Sequence, residues 1–266
     1  MRQIASFQEK ILTFYDRHGR DLPFRRTTDP YCITVSEFML HQTQVERVVP
    51  KYDQWVSTWP DWKSLAAASR RDVLAAWSGL GYNRRAIYLR ESARAVVDQH
   101  AGTLPRDVDL LVKLPGIGPY TARAILIFAF NAPLAAIDTN IRRVLLHSFR
   151  WPAETSTTDL NSLAERALYK EDPRRWHYAL MDYSRLALPK QIAALPPLTR
   201  QSRFDGSIRQ IRGEIVRRLT LRRTVRRSTI ERNLNRSAED VTKAIAALQR
   251  EGLVSVKGQS IILCDE

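Results

Sequence analysis

Leu114-Pro115-Gly116-Ile117-Gly118-Pro119-Tyr120-Thr121-Ala122 is the stretch on which the reading of this chain turns. Helical patterning flanks it, over Val108–Leu114 and Tyr120–Phe130, so the segment predicts a tight turn between two helices. Gly116 and Gly118 carry no side chain, which lets the backbone come close to a ligand. Pro119 suits the first position of the second helix, where its missing N–H would lack a partner in any case. The free N–H groups of that helix start, backed by the positive end of the dipole, can hold a phosphate. A plain helix–helix turn would share this outline; the Pro-Gly-Ile-Gly pattern tips the reading toward phosphate binding.

Two carboxylates stand out around that turn. Asp138 precedes the helical run Thr139–Phe149, where an aspartate normally caps the helix by accepting from amides of its first turn. The same position keeps a carboxylate ionised through the helix dipole, which suits stabilisation of a positive charge developing nearby. Glu37 lies four residues after Ile33 and three before Leu40, near the apolar stripe of its own helix. There partial desolvation raises a carboxyl pKa and lets it carry a proton at neutral pH; an ordinary hydrogen-bonded surface glutamate is the alternative.

The pattern is helical through most of the chain. Ile4, Phe7, Ile11 and Phe14 form one stripe, and a turn region follows from Gly19 to Pro30. Helical patterning resumes over Ile33–Trp55, Leu65–Leu74, Arg84–Gln99, Thr139–Phe149 and Leu160–Tyr169, with Gly or Pro at most joints. Pro189–Ser202 reads as a linker. Beyond it, helices are expected over Ile208–Leu219, Ser228–Leu234 and Ala238–Arg250. A β-hairpin over Leu253–Lys257 and Ser260–Leu263 closes this part, which has the outline of a winged helix. The expected division is residues 1–188, a linker at 189–203 and a basic module at 204–266.

Composition narrows the partner. A formal net charge of +14 over 266 residues implies a polyanion, because each Lys or Arg beside a phosphate releases condensed counterions. Arg222, Arg223, Arg226 and Arg227 crowd together in the basic module, as DNA-contacting residues or as solvated charges. No apolar run approaches the ~18–20 residues needed to span a bilayer, so a cytoplasmic, nucleoid-associated protein is expected. Two cysteines, Cys32 and Cys264, lie far apart, which predicts neither a disulfide framework nor a Cys-rich metal site.

Leu114–Ala122 resembles the hairpin of the helix-hairpin-helix/GPD DNA glycosylases, and Ala136-Ile137-Asp138-Thr139-Asn140-Ile141-Arg142-Arg143-Val144 resembles their catalytic-aspartate segment. Within that superfamily the MutY-type adenine glycosylases are the nearest in pattern. Leu22–Arg25, Asp29–Tyr31, Ser36–Val45, Gly79–Tyr82 and Trp176–Asp182 follow their order, so the resemblance covers roughly residues 5–188. It implies a two-lobed, mainly α fold with the active site in the cleft, acting on duplex DNA that holds a mispaired or damaged base. Asp138 is then the electrostatic catalyst and Asn140 its orienting neighbour. Glu37 is the acid that protonates a departing purine. Tyr120 stands where bifunctional relatives place a Schiff-base lysine, which implies base hydrolysis without strand cleavage. Gln42, Leu80 and Tyr82 match residues that wedge the duplex and fill the gap beside the extruded base, and Arg25 matches a residue near the base pocket. The hairpin is also a place where a monovalent cation could sit.

The chain departs from that branch in two respects. Pro189–Ser202 contains no cysteine where MutY-type enzymes hold an iron–sulfur loop, so no cluster and no other metal cofactor is expected. The Arg-rich module stands in place of the domain that reads 8-oxoguanine. The expected function is a monomeric, monofunctional glycosylase acting on adenine opposite guanine or 8-oxoguanine. The rivals are a uracil or thymine glycosylase for guanine mismatches and a non-catalytic DNA-binding protein.

Overall fold

The computed structural model describes residues 2–193, 195 and 206–264. In chain order the helices are α1 Arg2–His18, α2 Pro30–Leu40, α3 Val45–Thr58, α4 Trp62–Ala67, α5 Arg70–Ala76, α6 Arg84–Gln99, α7 Val108–Leu111, α8 Pro119–Phe130, α9 Thr139–Phe149, α10 Thr157–Arg166, α11 Pro173–Leu186 and α12 Lys190–Ala193. The C-terminal part runs α13 Ile208–Leu221, β1 Thr224–Arg226, α14 Arg227–Leu234, α15 Ala238–Arg250, β2 Val254–Lys257 and β3 Ser260–Leu263.

Two compact units result, and they do not follow the 1–188 and 204–266 division expected from composition. One gathers the described residues of 1–33, 105–113 and 117–200; the other gathers those of 34–104, 114–116 and 201–266. The first is built on α1, α9, α10 and α11. Phe7, Ile11, Val144, Leu163, Trp176 and Leu180 close its main core, and Phe7 meets Trp176 edge-on at 5.4 Å. Ile33, Ala124, Ile127, Phe128 and Tyr178 form a second core around α8. In the other unit Trp55 packs edge-on against Trp59 and Trp77 at 4.7 and 5.5 Å.

Several expected helices divide, each for a local reason. Ile33–Trp55 breaks at residues 41–44, where Gln42 takes a left-handed conformation with φ 60°. Leu65–Leu74 breaks because Ser69 caps a new helix, accepting from the Asp72 amide at 3.1 Å. Helix α11 is not among the expected elements, although Asp172-Pro173 is a helix-start signal and Asp172 accepts from the Arg175 amide at 3.1 Å. Of the expected linker, Lys190–Ala193 forms a helical turn, and residues 194 and 196–203 lie outside the described ones.

The C-terminal elements arrive in the expected order with one addition. Thr224–Arg226, inside the arginine run, forms a strand that pairs antiparallel with β3 and buries Val225. The sheet order is β1-β3-β2. Helix α13 packs on α5, and Arg70 donates to the Gly252 carbonyl at 2.9 Å, so this module is docked on the 34–104 residues.

Candidate functional site

The Leu114–Ala122 turn has the expected form. Gly116 has φ +77°, and a Cβ there would lie 2.7 Å from the Tyr88 Cβ and 3.0 Å from the Phe38 ring. Only glycine fits both the conformation and the space. The Ser92 hydroxyl donates to the Pro115 carbonyl at 2.6 Å and fixes the turn from α6. Gly118 differs: it has extended backbone, caps α8, and has no neighbouring atom within 4 Å of where a Cβ would stand. Neither the backbone conformation nor the protein's own packing requires glycine at this position.

Asp138 caps α9. Its carboxylate accepts from the Ile141 amide at 2.7 Å and from the Asn140 side-chain amide at 2.9 Å. Burial pushes this carboxyl above its ordinary range, against the Ile141 amide, both Asn140 donors and the Arg143 guanidinium, which pull it down. Desolvation thus works against the ionisation that the helix start favours at Asp138. The segment leading to Asp138 is anchored by His177, which stands out in the sequence only as part of the longer Trp176–Asp182 motif. The Ala136 N–H donates to His177 Nε2 at 3.2 Å, and Nδ1 lies 2.7 Å from the Pro173 carbonyl. Nε2 accepts, so Nδ1 carries the proton; burial pushes the pKa down to about 4 and keeps the ring neutral.

Tyr120 lies in the first turn of α8, half-buried, and packs against the core of Ile33, Ala124, Ile127, Phe128 and Tyr178. Glu37 sits on α2, half-buried between the buried Ser36 and Phe38, as its place near the apolar stripe predicts. It belongs to the 34–104 unit, and Asp138 to the other.

The expected wedge residues share one organiser, Arg85, which no sequence signal singled out. Its guanidinium donates to the carbonyls of Phe38 at 2.6 Å, Met39 at 3.2 Å and His41 at 2.6 Å, the frayed end of α2. It also reaches the Leu80 and Gly81 carbonyls at 3.2 and 3.1 Å and the Thr43 hydroxyl at 3.1 Å. Burial lowers its pKa to about 10, so it stays cationic at neutral pH. One side chain thereby ties the Gln42 turn to the Gly79–Tyr82 turn. Gln42 is exposed, with φ 60°, and Tyr82 is 36% exposed, with φ 49°. Non-glycine residues held in that region are strained, and the strain marks both turns. Leu80 is only 5% exposed and belongs to the core, so in this conformation it does not project as a wedge.

Arg25 is likewise corrected. Its side chain is 7% exposed and forms a bidentate pair with Asp182 at 2.7 and 3.0 Å, beneath which Tyr178 lies 4.5 Å from the guanidinium carbon. Arg20 donates to the same carboxylate from its amide at 2.8 Å and its Nε at 2.7 Å. Burial pushes Asp182 up, but Arg25 and Arg20 together hold its pKa below the ordinary range. The Arg25 guanidinium is committed to a structural ion pair, leaving a direct DNA contact to other residues.

Among the module arginines, Arg222, Arg223 and Arg226 are exposed. Arg222 and Arg226 line a depression with Arg217, Arg218, Thr224 and Ser260. Arg227 is turned inward, to Glu231 at 2.9 Å and the Ala238 carbonyl at 2.7 Å, so it locks α14 to α15 instead of facing a phosphate. The first turn of α15, the end that reads bases in helix-turn-helix proteins, carries Glu239 and Asp240.

An iron–sulfur cluster needs about four thiolates. The chain has two cysteines, Cys32 on α2 and Cys264 after β3, so its residues do not fit that group. Among the described residues no group of three or more His, Cys, Asp or Glu is placed to hold a metal ion. No helix of the described residues is long and apolar enough to cross a membrane.

The chain thus presents a glycine-turned hairpin followed by a half-buried aspartate that caps the next helix. Residues 35–168 match the model of the HhH-GPD superfamily of base excision DNA repair proteins, and the chain belongs to that superfamily. It is 46% identical over 158 residues to the adenine DNA glycosylase of Mycolicibacterium smegmatis, covering 58% of this chain and 54% of the relative. It is 37% identical over 193 residues to the adenine DNA glycosylase of Homo sapiens, covering 68% of this chain and 35% of the relative. The structure of a thermostable thymine-DNA glycosylase matches with a TM-score of 0.65 at 29% identity, over 70% of this chain and 87% of that one. The chain spans about half the length, or less, of the curated relatives it matches.

Proposed function

We propose that this chain is a monofunctional DNA glycosylase that removes adenine mispaired with guanine or 8-oxoguanine. The observation that carries it is Asp138, held by Asn140 at the start of α9, within a chain 46% identical to an adenine DNA glycosylase. Monomeric action on duplex DNA in the cytoplasm or nucleoid, without an iron–sulfur cluster or other metal, completes the reading.

In this mechanism the hairpin amides after Gly118 take a phosphate. Gln42 and Tyr82 offset the few kcal/mol that base extrusion requires. Glu37 protonates the purine as the C1′–N9 bond breaks and its electron pair passes to the base. Ionised Asp138 stabilises the sugar cation until water adds at C1′ and gives up a proton. The cation reverses the balance that burial sets at Asp138, since an adjacent positive charge favours the ionised form. Tyr120 has no amine to form a Schiff base, so the strand stays intact. Arg222, Arg223 and Arg226 supply phosphate contacts without reading sequence, in keeping with the acidic start of α15.

Labelled duplexes carrying A, T, U or hypoxanthine opposite G, 8-oxoguanine, C and T test the reading. Adenine release from A:G and A:8-oxoguanine pairs, with alkali-dependent strand breaks and no borohydride-trapped adduct, is expected. A second reading, excision of thymine or uracil opposite guanine, is favoured by the likeness to the thymine-DNA glycosylase structure. Preferential T:G or U:G activity would establish it in place of the first, and no base release from any duplex would leave a non-catalytic DNA-binding protein.

A further inference from the structure

Tyr82 has a second holder that lies far away in sequence. Arg209, in the first turn of α13, donates from Nη1 to the Tyr82 hydroxyl at 2.6 Å. Its guanidinium carbon also lies over the Tyr82 ring, 5.3 Å from the centroid, while that of Arg85 lies over the same ring at 5.6 Å. We propose that Arg209 is a positioning residue for the Tyr82 wedge, so that the C-terminal module acts in base extrusion by holding Tyr82 in its insertion-ready orientation.

Three features of the surroundings carry this. Arg85 pins the backbone of the 79–82 turn through the Leu80 and Gly81 carbonyls, but its hydrogen bonds stop short of the phenol. Tyr82 is partly exposed, and the hydrogen bond at the far end of its side chain comes from Arg209. Arg209 is itself fixed. Ser207 caps α13 by accepting from the Gln210 amide at 3.3 Å, α13 packs on α5, and Arg212 pairs with Glu251 within the module. The clamp thus connects a rigid helix to a strained turn. A guanidinium that grips both the hydroxyl and the π face restricts the ring more than either contact alone. The acidic first turn of α15 fits a module whose contribution is to hold the wedge and not to read bases.

This inference rests on the glycosylase reading for its consequence and on the contact alone for its geometry, so both are measured in the full chain. The variants are Arg209→Ala, Arg209→Lys, Tyr82→Phe and the Arg209→Ala/Tyr82→Phe pair. Extrusion is followed by the fluorescence of 2-aminopurine beside the target adenine, and base release by single-turnover kinetics on the same A:8-oxoguanine duplex. NMR of ring-labelled tyrosine reports the motion of Tyr82 without DNA. Arg209→Ala should free the Tyr82 ring and slow extrusion and base release about tenfold, with affinity for undamaged duplex within about twofold of wild type. Arg209→Lys should recover part of the loss, and the double variant should be no slower than the slower single one. Wild-type extrusion in Arg209→Ala, faster extrusion, or additive losses in the double variant would each overturn the clamp. Extrusion without base release in the wild type would instead overturn the glycosylase reading and leave the clamp to stand on the fluorescence and NMR results.

Discussion

Asp138 combines a structural and a chemical demand that oppose each other. As the cap of α9 it is served equally well by asparagine, but its desolvation works against the ionised form in the folded chain. Its pKa is raised on folding, so its linked stability is fully present below the unfolded value and is lost as pH rises through the folded value. Asp138→Asn should therefore hold or raise the thermal midpoint at pH 7 while lowering single-turnover base release by about a thousandfold or more. A near-wild-type rate would remove Asp138 from the chemistry. The wild-type rate should also fall as pH drops through that raised pKa, since the ionised form is the active one. His177 shows the opposite linkage. Its folded pKa of about 4 lies below its unfolded value, so stability is present above pH ~6.5 and drains as pH falls toward 4, by about 3 kcal/mol in all. His177→Gln should flatten that slope in thermal melts recorded from pH 7 to 4; an unchanged slope would place the sensitivity elsewhere.

At the scale of elements, the decisive joint is between the end of α2 and the turn before α6. Helix α2 stops at Leu40 without glycine or proline, and its last carbonyls need donors. Arg85 supplies them and holds the 79–82 turn with the same fork. Arg85→Met keeps the stem and removes the donors. It should cost about 3 kcal/mol in chemical denaturation, because buried carbonyls lose their partners. Base release should fall further than duplex affinity, since Gln42 and Tyr82 lose their common support while the hairpin remains. A variant with wild-type stability would show that water replaces the guanidinium.

At the scale of the molecule, the net charge of +14 implies a strongly salt-dependent affinity. Replacing Arg222, Arg223 and Arg226 together by alanine leaves the docking of α13 on α5 intact, whereas removing the module would expose both faces. The log–log slope of affinity against salt should flatten by about 0.9 for each phosphate that the variant no longer neutralises, with the preference for the excised base unchanged. An unchanged slope would make these arginines solvated charges. The C-terminal module also shows how compactness departs from chain order: its described residues are packed with 34–104.

What the sequence determined by itself is local. The Pro-Gly-Ile-Gly turn, the aspartate ahead of α9, the spans of α6, α9 and α15 and the final hairpin are written in residues next to one another. Glycine conformations, caps and periodicity act over a few residues, so their signals survive in one dimension. The family followed from the same local motifs, taken in order. Only the tertiary structure decided which polar groups meet. Asp182 gathers Arg20 and Arg25, His177 anchors Ala136, Arg85 ends α2, and Arg209 reaches Tyr82 across 127 positions of sequence. It also decided that desolvation opposes the hydrogen bonds at Asp138, that Leu80 is core and that part of an arginine run is a strand. Desolvation and long-range hydrogen bonding depend on what packs around a group, and no pattern of neighbours along the chain encodes that.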